Sequence, residues 1–170
     1  MARTITDSVD RHVERWLPAL PQLDAEVEGV ITRMQRLLWL LKQEKTAAWA
    51  ERGVTAADVQ TVQTVVSLEL SSVEATPALI AEKCQVTRAG MTSRLDRLEE
   101  AGHLTREVDP HDRRRVLVRI TPAGRAMWEA ASEVGIRLET EFLARLSDHQ
   151  RTQLNQLLRV LLSGVEARPD

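Results

Sequence analysis

Tyrosine is absent from this 170-residue chain, and aromatic residues of all kinds make up 3% of it. Proteins that hold single-stranded nucleic acid stack its bases on aromatic rings, so that class of function is disfavoured at once. A single cysteine, Cys84, excludes an intramolecular disulfide and any cysteine-built zinc cage. Its place four residues after Ile80 on an apolar face marks it as a small buried hydrophobe rather than a redox sensor. His12, His103, His111 and His149 are scattered, with no pair at helical spacing, so no metal is expected. No apolar run approaches the length of a membrane span, and the polar, acid-bearing start MARTITDSVDRHVERW reads as neither signal nor transit peptide. The expectation is a cytoplasmic protein with no membrane partner. Phosphate-cradling glycine loops, nucleophile elbows and paired-carboxylate patterns are missing too, so neither an enzyme nor a bound cofactor is expected.

What the chain has is charge and helical periodicity. Hydrophobic residues make up 43% and charged residues 28%, the balance of a globular domain with helical extensions. The net charge is −2, but it is unevenly spread. Between Thr87 and Arg119 eight arginines stand against six acids, a local +2, which leaves −4 on the rest. A mildly basic segment on an acidic body suits a sequence-specific nucleic-acid reader better than a nonspecific coat.

Apolar spacing lays out the elements. Residues 4 to 17 read as a short leading helix broken by Pro18 and Pro21. From Asp24 to about Trp49, Val27, Val30, Ile31, Met34, Leu37, Leu38 and Leu41 recur every three or four residues, as an amphipathic helix requires. Gly53 punctuates, and Thr55 caps a helix to about Leu70. Thr76-Pro77 opens another, to about residue 84, and Thr121-Pro122 opens a long one to about Leu146. A last helix covers roughly 148 to 165. The end helices carry more apolar face than a small middle domain can cover, which points to a symmetric partner and hence a homodimer.

The middle of the chain carries the chemistry. TRAGMTSRLDRLEEAGHL is a helix that Thr87 can cap and Gly102 can end, two residues after the helix before it. On a helical wheel Met91, Leu95 and Leu98 face inward, while Ala89, Gly90, Ser93 and Arg97 face outward. Small outward residues let a helix lie deep in the major groove, where a hydroxyl and an arginine address base edges or phosphates. Arg88, in the first turn, is placed for a phosphate or a guanine. Then come two alternating runs, TREV and VLVRI, joined by a loop holding Asp109, Asp112, Arg113, Arg114 and Arg115. Three adjacent arginines repel one another unless anions lie between them. Asp112 is expected to hold Arg114, leaving Arg113 or Arg114 for a narrow minor groove. The expected fold is mainly α with a small β-hairpin wing: a winged helix-turn-helix over 51–121 that binds double-stranded DNA, between dimerisation helices at 1–50 and 122–170. The rival reading is a dimeric helical module that binds a small molecule or a protein and does not bind DNA.

The run TPALIAEKCQVTRAGMTSRLDRLEEAGHLTREVDPHDRRRVLVRITPAGRAMWE resembles the multiple-antibiotic-resistance regulator (MarR) family over about 76 to 129. The DPHDRRR loop followed by a Thr-Pro helix start is its most diagnostic motif. That resemblance implies a dimeric winged-helix regulator, most often a repressor, on a palindromic operator, released by a small aromatic or purine-like ligand. The leading segment VERWLPALPQLDAEVEGVITRMQRL is similar to the family's urate-responsive branch. There a tryptophan, an aspartate and two arginines line a ligand cleft, and Trp16, Arg94 and Arg106 fall on the tryptophan and arginine positions. Gln60 stands where the aspartate should be, so the expected effector widens from urate to another purine or an aromatic anion.

Overall fold

The computed structural model describes residues 5–167. Among them, seven helices and one two-stranded sheet follow in the order α1 (Ser8–Trp16), α2 (Ala25–Ala50), α3 (Ala56–Leu70), α4 (Pro77–Lys83), α5 (Arg88–Glu100), β1 (Leu104–Val108), β2 (Val116–Ile120), α6 (Pro122–Leu143) and α7 (Asp148–Glu166). This is the mainly helical winged helix-turn-helix that the sequence predicts. The chain divides into two compact units, residues through Glu44 and residues from Lys45 on, with the boundary inside α2.

Helix starts follow side-chain caps, which satisfy amide donors that the helix itself leaves free. Thr55, Thr76, Thr87, Thr121 and Ser147 each accept an amide hydrogen from the first turn they precede. The leading helix is shorter than the expected 4 to 17, because Asp7 and Asp10 close a reciprocal capping box that sets its first residue at Ser8. Residue 4 lies outside the described residues. The long helix expected to reach Leu146 stops at Leu143, just before the Ser147–Gln150 box starts α7. Gly102 ends α5 at φ +73°, a left-handed conformation that costs glycine nothing.

In the first unit, Arg33 of α2 donates to Asp7 at 2.8 Å and to Asp10 at 2.5 Å. These bonds fasten α1 to α2. The Arg33 guanidinium holds the Asp7 carboxyl below the usual carboxylate range, and the Asp7 backbone amide, with Arg33 second, does the same for Asp10. His12 lies 3.2 Å from Glu28 and tilts over the Trp16 ring at 6.3 Å.

The second unit has one core. Val62 and Val66 of α3, Ile80 of α4, Met91, Leu95 and Leu98 of α5, Leu104 of β1 and Val118 of β2 are buried together, and Trp128 packs on them from α6. Cys84 belongs to this core, as its apolar surroundings in the sequence suggest. Trp49 donates through its indole to the Ala131 carbonyl at 3.0 Å, fixing the end of α2 on α6, whereas Trp39 is exposed. β1 and β2 run antiparallel with Leu104 opposite Ile120 and Val108 opposite Val116. The Val118 amide also donates to the Ala75 carbonyl at 2.8 Å, which seats the hairpin against the residues that open α4. Gly124 lets α6 start close to the α5–β1 turn, since a β-carbon there would lie 2.8 Å from the His103 carbonyl carbon and closer still to its oxygen.

Candidate nucleic-acid interface

α4, the turn at residues 84–87 and α5 form the helix-turn-helix. Gln85 makes the turn at φ +55°, and Thr87 then accepts the Gly90 amide at 3.1 Å to start α5. Met91, Leu95 and Leu98 are buried, which leaves Arg88, Ala89, Gly90, Ser93 and Arg97 on the exposed side, as the helical wheel requires. Among the described residues the guanidinium of Arg88 has no hydrogen-bond partner.

The wing tip is ordered by its own acids. Asp109 is buried, accepts the His111 amide at 2.8 Å, and returns its own amide to the Arg115 carbonyl at 2.9 Å. The His111 amide bond is the main reason its carboxyl lies below the ordinary range. Asp112 does not hold the Arg114 side chain, as the sequence reading expects. Instead its carboxylate accepts the Arg114 backbone amide at 3.0 Å, because the tight turn brings that amide, and not the guanidinium, within reach. Arg115 turns back to Glu74 at 2.5 Å and Asp109 at 3.3 Å. Arg113 and Arg114 are exposed, and neither guanidinium pairs with an acid among the described residues.

The residues carried over from the urate-responsive resemblance divide between the two units. Trp16, in the first unit, is half-exposed beside His12. In the second, Arg94 donates to the Gln60 side-chain carbonyl at 3.1 Å, so the structure brings those two together. Arg106 of β1 is engaged by Glu99 at 2.5 Å and Asp96 at 2.7 Å, both on α5. The Arg106 bonds pull the Glu99 carboxyl below its ordinary range.

Sequence reasoning passes over Asp58. Its carboxylate closes the α3 capping box with Thr55 and also takes Nε and Nη2 of Arg97, so the outward arginine that the helical wheel offers to base edges or phosphates is instead bonded within the chain, because α3 packs within its reach. Burial pushes this carboxyl up, but the hydrogen bonds from Thr55 and Arg97 outweigh that and leave it below the ordinary range. The Thr-x-x-Asp spacing at 55–58 is the available signal for the cap half of this role.

Residues 53–115 match the model described as the MarR family. Over 86% of this chain and 87% of the other, the sequence is 28% identical to the HTH-type transcriptional regulator PecS of Dickeya dadantii. Residues 53–115 of this chain are a MarR-family domain, carried on a winged helix-turn-helix fold. A single-residue variant of MepR from S. aureus shares its fold at a TM-score of 0.71 and 22% identity, covering 79% of this chain and 96% of that one. A MarR family protein of Mycobacterium tuberculosis, solved in complex with p-aminosalicylic acid, matches at a TM-score of 0.60 and 25% identity over 76% of this chain and 95% of that one. Set beside these relatives, the MarR domain here spans the helix-turn-helix and the wing loop, and the chain is a transcriptional regulator rather than an enzyme. Among the described residues no helix is long and apolar enough to cross a membrane.

Proposed function

We propose that this protein is a ligand-released repressor that binds a palindromic DNA operator as a homodimer. The observation that carries the reading is the pairing of the exposed Ala89–Gly90–Ser93 stripe of α5 with a wing whose Arg113 and Arg114 are exposed and free of acidic partners among the described residues. A helix with small outward residues fits the major groove, and free guanidiniums on a hairpin tip fit phosphates or the minor groove beside it. In this reading Thr87 and Arg88 position the helix start, and Asp112 and Arg115 shape the wing. Double-stranded DNA is the partner, and the protein acts in the cytoplasm where that DNA is.

The homodimer rests on apolar surface that the single chain leaves uncovered. α7 buries none of its residues, with Leu157 65% and Leu161 56% exposed, and in α2 Leu37, Leu38 and Trp39 are exposed as well. Exposure on that scale in a helical protein marks an interface, and a symmetric one lets each end helix cover its counterpart. The three regions 1–50, 51–121 and 122–170 then serve dimerisation with ligand response, DNA reading, and dimerisation.

The effector is a urate-like purine or an aromatic anion. Arg94, held among the described residues by the neutral Gln60 amide alone, can exchange that partner for an anion at low cost. Arg106 answers the same anion only by leaving Glu99 and Asp96. Trp16, in the first unit, offers an exposed ring of its own on which an aromatic ligand can stack. The aromatic carboxylate bound by the mycobacterial relative favours the aromatic-anion half of this range.

Affinity selection of fragments from the source genome at about 0.15 M salt, which suppresses nonspecific binding, tests the reading. It should recover a palindrome with half-sites about one helical turn apart. No enrichment, with or without purine and aromatic-acid pools, leaves the DNA-free binding module in its place.

A further inference from the structure

Asp58 has more bonding than a helix cap needs. One carboxylate oxygen, Oδ2, already completes the capping box, accepting the Thr55 amide at 3.1 Å and the Thr55 hydroxyl at 2.6 Å. The other, Oδ1, accepts Nε of Arg97 at 3.2 Å together with Nη2, from a helix 39 residues further along the chain. The acid is buried, at 8% exposure, while the Arg97 side chain is 52% exposed. The arginine therefore reaches from the open side of α5 back to an anchor inside the fold.

The position of Arg97 gives this contact a consequence. It follows Gly90 and Ser93 at helical spacing, so it belongs to the same outward stripe that the proposed function lays in the groove. Of the three arginines of α5, Arg94 is bonded to Gln60 and Arg97 to Asp58, and only the Arg88 guanidinium has no partner among the described residues. A free arginine on that stripe reaches a phosphate of any duplex, whatever its sequence. It gains most in the shallow nonspecific pose, where the small side chains have not yet seated the helix on base edges, and so raises background binding more than operator binding.

We propose that Asp58 is a specificity-determining residue: by holding Arg97 against α3 it keeps that arginine off the phosphates, so that the stripe of Ala89, Gly90 and Ser93 discriminates between sequences. The inference rests on the reading of α5 as the DNA-recognition helix. Asp58 acts through Arg97 and touches no DNA itself.

The test compares wild type, Asp58→Asn, Arg97→Ala and the double variant, each titrated against an operator duplex and a scrambled duplex over a range of salt. Asparagine keeps an acceptor for the Thr55 cap while discharging the partner of Arg97. In Asp58→Asn the released arginine should steepen the salt slope on scrambled DNA by about 0.9 per reading head. At 0.15 M salt that corresponds to roughly fivefold tighter background binding per head, and the operator-to-scrambled ratio should fall. Arg97→Ala should keep the wild-type slope, and the double variant should return to it. A lower melting temperature with slope and ratio unchanged would show a purely structural tie and overturn the proposal. So would a slope that flattens in Arg97→Ala alone, because Arg97 would then already be on the phosphates. If wild type shows no salt-dependent duplex binding, the DNA reading itself fails and takes the proposal with it. Should Asp58→Asn not fold, the Arg97 Nε–H resonance of the wild type decides. It should stay slow to exchange with and without scrambled duplex, and a shift on adding that duplex would refute the proposal.

Discussion

Replacing Arg113 and Arg114 together with alanine should reduce DNA affinity through charge alone, by an amount that the release of counterions sets. Both side chains are exposed, neither guanidinium meets an acid among the described residues, and the Asp112 carboxylate nearby is taken up by the Arg114 backbone amide. Each is thus available to neutralise one phosphate. The logarithm of the binding constant falls with the logarithm of salt by about 0.9 per phosphate neutralised. Losing both contacts should flatten that slope by about 1.8 per wing, or about 3.6 over a dimer. Taking 1 M salt as the point where this contribution vanishes, each contact is worth roughly fivefold at 0.15 M, so the pair is worth roughly thirtyfold per wing and on the order of a thousandfold over two wings. Fluorescence anisotropy of a labelled operator duplex between about 0.1 and 0.3 M salt reads both quantities. Arg115→Ala is the control. Its guanidinium is already taken by Glu74 and Asp109, so it should lower thermal stability and leave the slope in place. A double variant within threefold of wild type and with the same slope would refute the wing assignment; that threshold is roughly a tenth of the loss expected per wing.

Four further outcomes follow from the same geometry. Gly124→Ala should destabilise the fold by about 3 kcal/mol, the upper end for overpacking, because the added carbon collides with the His103 carbonyl; urea unfolding measures it, and an unchanged midpoint would contradict the packing. Leu157→Glu with Leu161→Glu should turn the dimer into a monomer in sedimentation and cost operator affinity, whereas an intact dimer would move the interface elsewhere. The Asp58 carboxyl lies below its ordinary range when folded, so its charge contributes stability above the unfolded value near pH 4, and that contribution is lost as pH falls through the folded value. The stability gap between wild type and Asp58→Asn should therefore be constant above about pH 5 and close below about pH 4 in pH-dependent unfolding; a gap that persists in acid would contradict the charged pairing. Finally, aromatic carboxylates or urate should show binding in titration calorimetry, and Arg94→Ala should abolish it. A flat response to all of them would remove the ligand assignment.

Local features of the fold are legible in the sequence, and pairings across the fold are not. Thr55, Thr76-Pro77, Thr87 and Thr121-Pro122 announce their helices because a cap acts over three residues and needs nothing else. Gly102 announces the end of α5 for the same reason. The period-two runs of the wing and the inward Met91, Leu95 and Leu98 are equally readable. Asp112 takes the other half of Arg114 than expected, because proximity in sequence does not say whether an amide or a side chain arrives first. Asp58 and Arg97, 39 residues apart, meet only once α3 and α5 are packed, and no local pattern encodes that meeting. The same holds for Arg106, whose partners Asp96 and Glu99 depend on how the wing lies along α5. At the start of α1, by contrast, the Asp7-x-x-Asp10 box is a local signal in its own right, and it rather than the apolar spacing sets the first turn.

Hydroxyl-radical footprinting on the selected operator tests the central claim most directly. Two reading heads on one palindrome predict two protected half-sites, related by a dyad and about 10 base pairs apart, each flanked by protection that Arg113→Ala with Arg114→Ala removes. A single protected site, or no protection at concentrations that saturate the duplex, would contradict it.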